Sequence, residues 1–281
     1  MMNRTVVKWA GGKARLAEAL RQYLPAGDRL VEPFAGSCAV MMNTDYPAYL
    51  IADINPDLIN MYQVIKRDVQ GFINSAQALF ATANTPEQYL TFRQVFNHTC
   101  ADPFNRAVIF LYLNRHCFNG LCRYNRAGYF NVPYGKYKAP YFPEKEIRAF
   151  AEKAKRATFI CASFEETLGM VRPGDVVYCD PPYLPEEGKE SFTSYHTDGF
   201  GMLEQLALAA HLRVVADAGN PVTVSNSIRA SEVGLYSGFD AVVELDAPRS
   251  IGAKTGGAKT AKEVLATITP FEHVLQPEAA L

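Results

Sequence analysis

The chain has 281 residues, 48% of them hydrophobic, enough to bury one large α/β core or a domain carrying an insertion. A formal net charge of −1 excludes a strongly basic protein, and six cysteines without a C-x-x-C pair predict reduced, mostly packed thiols, including Cys161 and Cys179, not a disulfide framework or a zinc site. No apolar run reaches 18 residues and no signal-peptide profile is present, so the expectation is a cytoplasmic protein that does not span a membrane. In chain order, Arg29–Pro33 and Tyr49–Asp53 read as strands. After Pro56 the pattern turns helical in several pieces up to about residue 116, with Pro86 and Pro103 as first-turn residues. Pro103–His116 is the clearest helix, with an apolar face that includes Ala107, Val108, Phe110, Leu111 and Leu113. Residues 117–142 are irregular, and a helix follows Pro143. Strands return at Thr158–Cys161, Asp175–Asp180, Pro221–Ser225, Phe239–Leu245 and Glu263–Thr269, with a helix around 200–218. Strands before about 55 and after about 157, with helices between, predict one α/β sheet domain bearing an inserted helical lobe.

Asp180-Pro181-Pro182-Tyr183 closes the apolar run Asp175–Cys179. Two prolines fix two φ angles and remove two N–H donors, so the strand must stop there. A carboxylate, a carbonyl and a ring are left at a strand's C-terminal end, where open α/β sheets bind ligands. That group can accept the N–H bonds of an exocyclic amine and stack on a heterocycle, as an enzyme acting on a flipped-out base requires. A plain strand-to-turn junction is the alternative.

Two further features bear on this one. Glu32-Pro33-Phe34-Ala35-Gly36-Ser37-Cys38 is a Gly-containing turn after a strand, and Asp53 ends the next strand 17 residues after Gly36. That spacing suits an adenosine-containing ligand whose ribose hydroxyls meet the acid. Trp9-Ala10-Gly11-Gly12-Lys13 is not a phosphate-binding P-loop, because Val7 and Ala14 stand where Gly and Ser/Thr are needed. From the residues alone, Trp9 is either a core residue or part of a site, and Lys13 either a solvated helix residue or part of one. Residues 102–156 hold 11 Lys/Arg against four acids, a net +7 that leaves −8 for the rest. Within them, loop 117–142 alternates rings and cations: Phe118, Arg123, Tyr124, Arg126, Tyr129, Phe130, Tyr134, Lys136, Tyr137 and Lys138. Such a mixture suits phosphate contacts with base stacking or wedging, or else tyrosines that cover a helical lobe.

Taken together, the chain resembles the Dam-type (D12 class, alpha group) DNA adenine-N6 methyltransferases. The resemblance rests on Lys8-Trp9-Ala10-Gly11-Gly12-Lys13, Val31-Glu32-Pro33-Phe34, Ala52-Asp53-Ile54-Asn55 and Leu111-Tyr112-Leu113-Asn114-Arg115. It continues in Asn119-Gly120-Leu121-Cys122-Arg123-Tyr124-Asn125, Phe130-Asn131-Val132-Pro133 and Tyr178-Cys179-Asp180-Pro181-Pro182-Tyr183. These run in the family's order over nearly the whole chain. The resemblance implies a Rossmann-like S-adenosylmethionine-dependent methyltransferase sheet over residues 1–55 and 145–281, with a helical target-recognition lobe over 56–144. It implies S-adenosyl-L-methionine contacts at Trp9, Lys13, Asp53 and Asp180, with Phe34, Gly36 and Phe164 in the same pocket. Asp180, Pro181 and Tyr183 would carry the chemistry. The implied partner is double-stranded DNA, with GATC as the sequence. Lys8, Arg123 and Pro133 stand at base-reading positions, joined in the recognition string by Asn119 and Leu121. Phe118 takes the place of an intercalating wedge, and Lys136 is a phosphate contact. No metal is implied. A monomer is expected, in the bacterial nucleoid or, for a phage-encoded enzyme, the host cytoplasm.

Three positions depart from the family pattern: Cys38 where a second Gly is usual, Cys117 where a smaller residue is usual, and a looser spacing of Arg249, Lys254, Lys259 and Lys262. Competing readings are amino methylation of adenine or cytosine in another sequence, of an RNA adenine or of a protein glutamine, and a non-catalytic DNA-binding descendant.

Overall fold

The computed structural model describes residues 3–13, 16–184, 200–248 and 260–270, so Arg249, Lys254 and Lys259 lie outside the described residues. The elements in chain order are α1 (Ala17–Arg21), β1 (Arg29–Glu32), α2 (Ala39–Asn43), β2 (Ala48–Asp53), α3 (Pro56–Arg67), α4 (Val69–Thr82), α5 (Pro86–His98) and α6 (Pro103–His116). They continue with α7 (Glu144–Ala154), β3 (Ala157–Cys161), α8 (Phe164–Leu168), β4 (Asp175–Cys179), α9 (Met202–Asp217), β5 (Val222–Ser227), α10 (Ile228–Glu232), β6 (Ala241–Pro248) and β7 (Thr260–Ile268). The strands form one sheet in the order β3-β2-β1-β4-β5-β7-β6. The first five are parallel, and β7 runs antiparallel to both neighbours. Strand order reverses between β1 and β4, and a crevice opens at such a switch point, at the strands' C-terminal ends.

Buried, β-branched runs make the central strands, and side-chain alternation divides them between two cores. Leu30, Tyr49, Ile51, Val176 and Tyr178 join one hydrophobic cluster. Their neighbours Val31, Leu50, Val177 and Cys179 join the other, with Leu208 and Leu212 of α9. The insert packs into the first cluster, through residues such as Tyr62, Phe72, Phe96, Phe110 and Phe130. It therefore shares a core with one face of the sheet. The helices start where the sequence places them. Asn55 caps α3 ahead of Pro56, Thr85 and Gln88 form a capping box ahead of Pro86, and Asp102 caps α6 ahead of Pro103.

Two expectations need correction. The helix Pro103–His116 has no single apolar face, because every residue from Ala107 to His116 is buried. It is the central helix of the insert, packed by α3, α4, α5 and the N-terminal segment. Cys161 is exposed, because β3 is the edge of the sheet.

The basic excess of 102–156 also resolves differently along its length. Arg106 pairs with buried Asp57, Arg148 with Glu144, Lys155 with Glu152, and Lys153 and Arg156 with Asp45. Arg115 is buried against the carbonyls of Thr5 and Val6. Asp57 ties three parts of the insert together, taking Arg106 Nε at 2.5 Å and the Tyr124 hydroxyl at 2.7 Å. Removing one member of a buried pair strands the other, a loss of about 3–5 kcal/mol when both are deeply buried. Arg106 is partly exposed, so Asp57→Ala is expected to lower unfolding free energy by about 2–3 kcal/mol. Urea denaturation checks this.

Candidate active site

The C-terminal ends of β1, β2 and β4 and the segment 9–13 enclose a cavity of about 410 Å³. It is lined by Trp9, Lys13, Phe34, Gly36, Asp53, Phe164, Asp180, Pro181 and Tyr183. All nine residues expected at the cofactor or the chemistry are thus brought together. A volume of a few hundred Å³ suits a small organic ligand.

The turn after β1 builds one wall. Gly36 has φ +45°, and a Cβ there would lie 2.8 Å from Trp9 Nε1, so only glycine lets the indole close over the turn. Cys38, where a second Gly is usual, also takes a left-handed conformation at φ 56°. The turn keeps its shape at a cost of about 1 kcal/mol for the non-glycine residue. The Asp53 carboxylate accepts the Gly36 N–H at 2.9 Å through one oxygen and the Asn55 N–H at 2.9 Å through the other. These bonds fix the acid's orientation on the cavity wall. Phe34, Phe164 and Phe200 form a ring cluster with centroids 5.6–5.8 Å apart, an apolar slot suited to a flat heterocycle.

The opposite wall is polar. Lys13 is only 4% exposed, and its ammonium lies 2.8 Å from Asp180 and 3.4 Å from Glu263. It also donates to the Gly11 carbonyl and stands over the Tyr183 ring at 4.6 Å. The reading of Lys13 as a solvated residue is therefore excluded. Burial pushes the Asp180 carboxyl above its ordinary value, and the Lys13 ammonium pulls it back. The Tyr183 hydroxyl donates to Glu263 at 2.8 Å, and burial beside two carboxylates keeps it protonated. Beneath the motif, Gln205 donates to the Pro182 carbonyl at 2.7 Å, while Asn226 accepts the Leu184 N–H and donates to Gln205 and Tyr236. Gln205 and Asn226 are fully buried, so this network holds the loop rigidly from below.

Glu32, Phe200 and Glu263 belong to the site but were absent from the sequence-level set. Glu32 is buried on the cavity wall, its Oε1 has no hydrogen-bond partner, and burial pushes its carboxyl up to about 8. Its position in Val31-Glu32-Pro33-Phe34 was a usable signal. Phe200 and Glu263 follow long stretches without a motif, and only the tertiary fold brings them here.

The expected DNA-reading residues cluster elsewhere, on loop 117–142 with Lys8 beside it. The loop doubles back through bridges Cys117–Tyr134 and Tyr124–Phe130. The Phe118 N–H bonds the Pro133 carbonyl at 2.8 Å, and Arg123 Nε donates to the Asn131 side chain at 2.8 Å. Phe118 is 47% exposed, and Asn119, Arg123, Pro133 and Lys136 are exposed, while Leu121 packs against the core. Cys117 is buried, its thiol directed at the Asn114 and Leu121 carbonyls. Lys8 joins this surface, with its ammonium 4.3 Å from the centre of the Tyr137 ring. Its backbone is held by Asn114, which accepts the Lys8 N–H at 2.9 Å and donates to the Lys8 and Gly120 carbonyls. Lys8 and Trp9 are consecutive, so one short segment touches both the loop and the cavity.

The sequence model of the family described as D12 class N6 adenine-specific DNA methyltransferase matches residues 9–251. The retron Ec67 DNA adenine methylase of Escherichia coli is 57% identical over 263 residues, covering 93% of this chain and 90% of its own. The DNA adenine methylase of Serratia marcescens is 46% identical, covering 94% of this chain and 98% of its own. That of Escherichia coli K12 is 44% identical, covering 95% and 96%. A cavity at the sheet's switch point, the Asp-Pro-Pro-Tyr wall and these likenesses agree: the chain belongs to the D12 class of N6 adenine-specific DNA methyltransferases.

Proposed function

We propose that the protein transfers a methyl group from S-adenosylmethionine to N6 of adenine in duplex DNA, at GATC, on a base rotated out of the helix. Adenine-N6 DNA methylation follows from the family and its relatives. The observation that supports the donor and the chemistry is one cavity lined by Asp180, Pro181 and Tyr183 together with Phe34, Asp53 and Phe164; the GATC target rests on the family resemblance.

The residues present fit S-adenosylmethionine. Phe34, Phe164 and Phe200 would hold its adenine, Asp53 its ribose hydroxyls, and Lys13 with Asp180 the charged groups of its amino-acid end. When bound, S-adenosylmethionine would supply an electrophilic methyl group on its sulfonium and leave as the thioether, while N6 gives up one proton.

The remaining chemistry belongs to the chain. The adenine amine is a poor nucleophile because its lone pair is delocalised into the ring. Asp180 and the Pro181 carbonyl accept its two N–H groups, which favours a pyramidal nitrogen with its lone pair aimed outward. Tyr183 stacks on the extruded base and offsets part of an unstacking cost of a few kcal/mol. Rigid placement supplies much of the rate, since reactive atoms are held in line.

In this reading residues 56–144 are the target-recognition unit, and residues 1–55 and 145–281 the catalytic one. Phe118 wedges into the stack, Lys136 contacts phosphate, and Lys8, Asn119, Arg123 and Pro133 face the bases, with Leu121 packed behind them against the core. The protein acts as a monomer in the cytoplasm. Among the described residues no helix is long and apolar enough to cross a membrane. Arg123 is an exposed guanidinium oriented by Asn131, suited to a bidentate contact with a guanine edge worth about 1–3 kcal/mol. Arg123→Ala is expected to relax the outer base of the site more than it weakens overall binding. Methylation rates on singly substituted sites measure this, and uniform loss across all sites rejects it. For the site itself, plasmid exposed to the enzyme and donor should resist restriction enzymes blocked by GATC methylation and yield to those that require it. Unchanged digestion by both kinds counts against GATC.

A further inference from the structure

We infer that Glu263 is a positioning residue for the transfer step: it anchors the Tyr183 hydroxyl and thereby sets the ring on which the target base stacks. The inference rests on the stacking role proposed for Tyr183.

Two prolines fix the backbone ahead of Tyr183, but its ring can still turn about the side-chain bonds. The Glu263 carboxylate accepts the phenol at 2.8 Å, a charge-assisted bond at one end of the ring. The anchor is itself fixed. Glu263 lies on β7 opposite Ser227 of β5 and Leu245 of β6. From that same level of β5, the Ser227 hydroxyl donates to the Leu184 carbonyl at 2.9 Å, and Asn226 accepts the Leu184 N–H. The antiparallel strand and its neighbour thus grip Tyr183 and Leu184 together. Glu263 also shares the Lys13 ammonium with Asp180, at 3.4 Å against 2.8 Å. Losing Glu263 leaves Lys13 with Asp180 and the Gly11 carbonyl, so the donor end of the cavity keeps its ion pair. Eighty positions separate Tyr183 from Glu263 in sequence, and the hydrogen bond is a product of the sheet's topology alone.

The test is a double-mutant cycle on the full chain with duplex DNA. Glu263→Ala and Tyr183→Phe are each expected to lower the single-turnover rate about tenfold, the loss of one charge-assisted hydrogen bond. Both remove the Tyr183–Glu263 bond, and Tyr183→Phe also removes the phenol's contact with Asp180, so the double variant is expected within about threefold of Tyr183→Phe. Glu263→Gln, whose amide oxygen still accepts the phenol, recovers most of the rate and guards against a folding artefact. Donor affinity by calorimetry stays within about threefold of wild type in all three single variants. Duplex with 2-aminopurine in place of the target adenine should emit more strongly on Glu263→Ala, because the ring beneath it is less ordered. Losses that multiply to about a hundredfold, or an undiminished rate in Glu263→Ala, overturn the inference while leaving the stacking role intact. An undiminished rate in Tyr183→Ala overturns the stacking role itself, and the inference with it.

Discussion

Asp180→Ala is expected to abolish methyl transfer, lowering the rate at saturating donor by about 10³-fold or more, while duplex binding stays within about threefold. The carboxylate is the acceptor proposed for the adenine amine, and its charge is set against Lys13 at 2.8 Å in a buried wall. Alanine removes that acceptor and leaves the ammonium to Glu263 at 3.4 Å. The residues proposed to read DNA lie on loop 117–142 and at Lys8, away from Asp180. Asp180→Asn keeps one acceptor oxygen and the side chain's shape, so an intermediate rate is expected. Quench-flow transfer and a gel-shift titration separate the two readouts. A rate within tenfold of wild type in Asp180→Ala would reject the acceptor role.

The second large effect is expected at Gly120. Its φ is +67°, and a Cβ there would overlap the Cβ of Lys8. Neither contact partner can yield easily, because Asn114 ties the Lys8 backbone and the Gly120 carbonyl to one buried amide. Gly120→Ala combines left-handed strain of about 1 kcal/mol with overpacking of about 1–3 kcal/mol. A stability loss of about 2–4 kcal/mol is expected, together with loss of discrimination at the base that Lys8 is proposed to read. Gly128 is the control. Its φ is +76°, but nothing lies within 4 Å of a Cβ there. Gly128→Ala should lose only the backbone term, about 1 kcal/mol. Denaturation midpoints compare the two, and equal losses would show that the contact with Lys8 is not what demands glycine.

The sheet and its ligand edge were legible because their signals are local. Arg29–Pro33, Tyr49–Asp53 and Asp175–Asp180 each carry a buried run ending in Pro or Asp, and each is a strand at the cavity. Proline at the first helical turn marked α5 and α6 for the same reason. Eight of the nine cavity residues sit in a short motif at a strand end or turn, whereas Phe164 lies in none and was expected there only from the family resemblance. What failed was long-range or statistical. The net charge of 102–156 overstates the basic character of its surface, because Asp45 and Asp57 from outside that window pair with Lys153, Arg156 and Arg106. The exposed cations left from it are concentrated on the loop itself, at Arg123, Arg126, Lys136 and Lys138. Helix α6 showed apolar residues on one side, yet its polar residues are buried too. Asn114, Arg115 and His116 spend their hydrogen bonds on the N-terminal segment, the loop and Asn84. Composition cannot reveal such partners. Glu263 was missed because its bond to Tyr183 exists only after β7 has inserted beside β5.

The central claim is methyl transfer to adenine N6 in duplex DNA containing GATC. Its most direct test is incubation of the protein with labelled S-adenosylmethionine and two duplexes that differ only in one GATC site, followed by nucleoside analysis. Label in N6-methyladenine from the GATC duplex alone is the expected result. Label in cytosine, in protein, or equally in both duplexes would contradict it.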